Sequence, residues 1–188
     1  MTDKFLKAKH WQIFLLTLGL PIILQIFITS MMFINEDPTL MLKIMPFISI
    51  GFMIGFFGWF WSVAIGLQSR IPADVKLNVT RFKIFLFIPV IYIILLFGFV
   101  GNMFEGAFEN GTQPGNAVIG SFLGIIIPMH LFSMFCIFYS LYFVAKTFKT
   151  AELQREVTFS DFAGEFFLFW FFPIGVWILQ PKINKIIE

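Results

Sequence analysis

Four stretches of the chain carry no charged side chain for the length that a membrane requires, and short polar segments separate them. Residues 11–34 and 44–67 each run 24 residues without Asp, Glu, Lys or Arg, about 36 Å as helix against a hydrocarbon core of about 30 Å. Residues 84–104 and 117–145 complete a set of four predicted spans. Pro21 inside the first predicts a kink or a freed carbonyl near Thr17, and Pro128 interrupts the fourth. Between them, Asn35-Glu36-Asp37-Pro38 reads as a turn and residues 68–83 as a basic loop. Residues 105–116, with Gly106, Gly111, Pro114 and Gly115, carry too many breakers for regular structure. The polar stretch 146–156 continues the fourth helix into solvent. Thr158 or Ser160 then supplies an N-cap, Asp161 standing three residues after Thr158 as in a capping box.

The last segment, about 161–180, is different. Its apolar part is only 15 residues long, from Phe166 to Gln180, with Pro173 near the middle and Pro181 at the end. Counted from the cap it just spans; otherwise it dips in and returns. Its apolar residues cover every face, against a helix lying on the surface. The expected fold is an all-α membrane protein, one helical domain over residues 1–188, with four transmembrane helices and a fifth, short, Pro-containing embedded helix that either spans or re-enters.

Composition excludes the alternative. With 59% hydrophobic and 13% charged residues, the chain lacks the polar surface of a soluble domain. A net charge of +2 is too small to argue for nucleic acid. The single cysteine, Cys136, forms no intramolecular disulfide and belongs to no multi-cysteine metal site.

Charge placement predicts orientation. With alternating loops, ten of the thirteen basic residues fall on one side, from Lys4, Lys7 and Lys9 to Lys146, Lys149 and Arg155. Only Lys43 lies among the loops opposite, where Glu36, Asp37, Glu105 and Glu109 dominate, so the N-terminus is expected in the cytoplasm. A re-entrant last segment would make the division twelve to one; a spanning one, ten to three.

Few residues carry candidate chemistry. Gly51, Gly55, Gly58, Ser62 and Gly66 form one stripe down the second span, the spacing of a close helix-packing seam. His130 is the only imidazole at membrane depth. It reads as a neutral histidine hydrogen-bonded within the fold, or as part of a proton relay or ligand contact. With Gln25 it marks a candidate intramembrane polar site. No Asp, Glu, Lys or Arg lies in the first four apolar runs, which weighs against ion-coupled transport. No catalytic signature, metal spacing or phosphate loop is present, so neither enzyme activity nor a cofactor is expected.

Two stretches, Lys7-Ala8-Lys9-His10-Trp11-Gln12-Ile13-Phe14 and residues 169–184 (FWFFPIGVWILQPKIN), resemble small uncharacterised integral membrane proteins of Bacteroidota. The resemblance implies a bacterial inner-membrane location and no activity. The expected role is a non-enzymatic accessory or interaction subunit, its partners being membrane lipids and another membrane protein or a second copy of itself, without nucleic acid. The alternative is a carrier or channel-like protein for a small or lipidic ligand held near His130, Gln25 and the tryptophans.

Overall fold

The computed structural model describes residues 2–35, 39–110 and 115–188, with side chains placed except at 39–43, 102–110, 116–118 and 121. Every described element is helical. Two short helices, α1 (Thr2–Lys7) and α2 (His10–Phe14), lead through a π-helical turn (Leu15–Gly19) into α3 (Leu20–Asn35). Then follow α4 (Thr39–Gly66), a 3-10 turn (Gln68–Arg70), α5 (Val79–Asn110), α6 (Asn116–Leu153), α7 (Phe159–Trp170) and α8 (Phe172–Ile187). Four stretches are long and apolar enough to cross a membrane: His10–Asn35, Ile44–Arg70, Val79–Gly101 and Phe122–Leu153. The chain is thus a multi-pass integral membrane protein.

The π-helical turn answers to Pro21. Proline cannot donate to the carbonyl one turn back, and the turn before it widens so that the Leu20 N–H reaches the Leu15 carbonyl, five residues behind. The segment after the third span differs from expectation: α5 continues as helix to Asn110, through Gly106, because one glycine costs a helix only about 1 kcal/mol. The turn expected at residues 35–38 lies, beyond Asn35, outside the described residues.

The last segment resolves into a hairpin. Phe171, at φ −82° and ψ 58°, breaks the helix between α7 and α8, and the chain doubles back tightly enough that a β-carbon on Gly175 would run into the Leu168 carbonyl. Lys182 Nζ lies 3.9 Å from Glu165 Oε1, a reach that a straight helix of about 25 Å between them would forbid. Further along α8, the Ile187 carbonyl accepts from Arg70 at 2.7 Å, and the Arg70 carbonyl accepts from Gln154 at 2.8 Å. The hairpin therefore re-enters and returns to the end of the molecule that holds Thr2, Arg70 and Leu153. Of the thirteen Lys and Arg, only Lys43 stands at the other end. The two are called below the basic end and the far end.

The core sits in the basic half. Trp59 and Phe60 of α4, Phe82 of α5, Phe148 of α6, Phe162 and Phe169 of α7 and Leu179 and Ile183 of α8 are fully buried together. Trp59 packs on Phe169 and Phe172 with ring centroids 5.1 and 5.2 Å apart, which plugs the hairpin tip between the spans. The antiparallel pair α5 and α6 is zipped from the core, by Phe82–Phe143 and Phe85–Tyr139, toward the far end, by Phe99–Phe122, with centroids 4.6 to 4.7 Å apart, and α3 packs along α4. Most other apolar side chains there are exposed, Phe33, Ile34 and Phe47 by more than 70%, as lipid-facing residues are.

Candidate functional site

The sequence-level candidates fall in different places. In the stripe on α4, Gly55 lies against Thr17 of the π-helical turn, Gly58 against the Phe5 ring and Gly66 against Leu6 and Thr2. Ser62 is buried and donates back to the Gly58 carbonyl at 2.7 Å. Gly51, one turn farther out, has no atom within contact range of a β-carbon. The partner of the stripe is this chain's own first twenty residues.

Gln25 and His130 are not brought together. Gln25 donates to Thr29 on its own helix at 3.4 Å and borders a groove of about 600 Å³ among α3, α4, α5 and α6. Ser30 and Ser140 likewise bond back to carbonyls four residues earlier, Ile26 and Cys136, so these hydroxyls are satisfied within their own helices instead of joining neighbours. Trp170 and Trp177, seven apart, are nearly half exposed; Trp177 meets His10 at a tilt of 50° with centroids 4.6 Å apart.

His130 pairs across helices. Its Nδ1 lies 3.3 Å from the hydroxyl of Tyr92, a residue the sequence reading passed over. A signal for it exists: Tyr92 is the only hydrogen-bonding side chain between Lys83 and Asn102. Tyr92 is buried, at 5% exposure, whereas the imidazole is exposed at the flank of α6. Beside the pair runs a groove of about 920 Å³ along α5 and α6, lined by Tyr92, Leu95, Phe99, Phe122, Ile126 and Met129 among others. Tyr92 is the one polar side chain among the described lining residues, and the groove is open along its side. A hydrogen-bonding group meeting hydrocarbon without a partner costs several kcal/mol, so a polar pair here suits a ligand that supplies one.

Two further polar clusters sit at the basic end. In the first, Lys149 donates to Glu152 and Glu165 at 2.8 Å each, with Lys182 at 3.7 and 3.9 Å from the same two carboxylates. Glu165 is buried, at 8% exposure; balanced two against two, the cluster fastens α7 and α8 to the end of α6. In the second, the buried Gln180 donates through Nε2 to the Phe5, Leu6 and Ala8 carbonyls at 2.9 to 3.1 Å and accepts from Trp59 Nε1 at 2.8 Å. Asn184 donates to the Leu6 carbonyl at 2.6 Å. These are carbonyls left open where α1 stops at Lys7, and α8 caps them.

Outside the spans, the expected capping box is present. Asp161 accepts from the Thr158 N–H at 2.8 Å and pairs with Arg155 at 2.7 Å. Arg155 first, then the Thr158 amide and hydroxyl, hold its carboxyl well below the usual carboxylate range. Among the described residues no three His, Cys, Asp or Glu side chains gather as a metal site. No family model, no curated protein and no solved structure matches the chain.

Proposed function

We propose that this is a non-enzymatic accessory subunit of the bacterial inner membrane, its basic end in the cytoplasm and its far half offered to another membrane component. The observation that carries this reading is open helix surface at the far end. Gly101 on α5 and Gly120 and Gly124 on α6 have nothing within contact range of a β-carbon, although small residues are what let transmembrane helices approach closely. The basic half is already occupied by the chain itself. Twelve basic residues at one end support the orientation.

The test is crosslinking in native membranes from a photoreactive residue at Leu123, beside Gly124. The expected result is one protein adduct of defined mass, absent from the same probe at Ile22 on α3. Adducts with lipid alone at both positions would overturn the reading.

A second reading, a binding protein for a lipid-soluble ligand, is favoured by the Tyr92–His130 pair at the edge of the 920 Å³ groove. The two readings are compatible, since a subunit can hold a lipid against its partner.

A further inference from the structure

We infer that the α5–α6 groove binds an isoprenoid quinone, a quinone carbonyl accepting a hydrogen bond from the Tyr92–His130 pair and the prenyl chain lying along Leu95, Phe99, Phe122 and Ile126. The inference rests on the second reading above, a lipid-soluble ligand in this groove, and names its class.

The hydrogen bonding of the pair sets the ligand's head. Tyr92 and the His130 Nδ1 share one hydrogen. If the phenol donates it, the imidazole proton sits on Nε2 and is left over; if Nδ1 donates it, the phenol proton is left over. Either tautomer leaves one donor without a partner, and hydrocarbon provides no acceptor. The complementary group is an acceptor without a charge, such as a carbonyl.

Depth sets the rest of the molecule. Tyr92 stands about 20 Å of helix from Val79 and about 14 Å from Gly101, the ends of its span. A phospholipid or sterol keeps its polar group at the interface, because drawing a charge or a hydration shell to mid-membrane is costly. A quinone ring carries two carbonyls and no charge, and its chain is as apolar as the groove. The groove's volume, about 920 Å³, is within the range of small-molecule clefts. Phe99 and Phe122, stacked at 4.6 Å, add apolar ring surface to the lining for an unsaturated hydrocarbon chain to lie on.

The experiment uses the full chain in nanodiscs, labelled with ¹⁵N-histidine and titrated with ubiquinone-2. His130 is assigned by its loss in His130→Phe, and His10 is the internal control. Saturable binding that moves the His130 ring nitrogens and leaves His10 in place is expected. So is affinity weaker by about tenfold or more in His130→Phe, the ~1.4 kcal/mol of one hydrogen bond. Ile125→Trp, which fills the groove and leaves the pair intact, is expected to weaken binding as much. Phosphatidylglycerol added in excess is expected not to compete.

Absence of saturable binding, unmoved His130 nitrogens at saturation, or unchanged affinity in a folded His130→Phe or Ile125→Trp overturns the proposal. Should His130→Phe fail to fold, wild-type shifts and Ile125→Trp decide. A photoreactive phospholipid separates the two levels. If it labels the groove while ubiquinone-2 does not bind, the quinone assignment fails and the lipid-ligand reading stands; if neither engages the groove, both fail.

Discussion

The two halves of this protein solve the same problem, burying apolar helices, in opposite ways. At the basic end the chain supplies its own cover: α1, α7 and α8 fold over the ends of the spans, and Trp59, Phe60, Phe148 and Phe169 are fully enclosed. At the far end the same spans leave most of their apolar side chains exposed. Water is what makes self-covering pay in the basic half, since apolar surface near the interface must be removed from it. Within hydrocarbon there is no such drive, and only close packing or hydrogen bonds hold helices together. The open half is thus free to receive something else, and the Tyr92–His130 pair lies there.

The comparison breaks most visibly at Gly175. Replacing it with Val forces a side chain into the Leu168 carbonyl, so the hairpin opens; a loss on the order of 3–5 kcal/mol is expected, by the backbone-clash mechanism behind the largest single-residue effects. Reversible unfolding in mixed micelles, with protease access to residues 166–180, measures it. An unchanged midpoint would mean the hairpin is not what closes this half.

Gln180→Leu is expected to be milder. It keeps the volume but strips the Phe5 carbonyl and Trp59 Nε1 of their partner and leaves the Leu6 and Ala8 carbonyls to Asn184 alone, a loss of about 2–3 kcal/mol. Faster amide exchange confined to residues 2–14 and the start of α8 is the signature to look for.

The smallest effect sharpens the contrast instead. Gly124→Ala, with nothing in reach of its new methyl, is expected to raise stability by ~0.5–1 kcal/mol through helix propensity alone. Gly55→Ala meets Thr17 Oγ1 at 2.9 Å and should forfeit that gain and more. Thermal unfolding of the two variants side by side decides, and equal shifts would refute the division into a packed half and an open one.

How much of this the sequence discloses follows the same line. Spans are legible because hydropathy over some 20 residues is a local property, and Thr158 with Asp161 is legible because a capping box is written in four consecutive positions. The hairpin is not: residues 166–180 look alike whether they cross or return, and the deciding contacts, Gly175 on Leu168 and Gln180 on Phe5 to Ala8, join places that local pattern does not relate. The stripe on α4 was visible, but its partner, a broken helix at the start of the chain, was hidden by a lysine-rich segment that reads as a simple flank. His130 stood out by rarity. Tyr92 did not, because its meaning lies in a pairing across 38 residues.

The Gln180 clamp also imposes an order on how the molecule comes into being. The side chain that satisfies the Phe5, Leu6 and Ala8 carbonyls is made 172 residues after Ala8, roughly 9–34 s later at elongation rates of about 5–20 residues per second. Through that interval the nascent amino-terminal turn has only water or lipid headgroups as partners. Its closure on α8 therefore waits for the hairpin, and a quality-control protease that samples this turn would be reading whether the hairpin has been delivered.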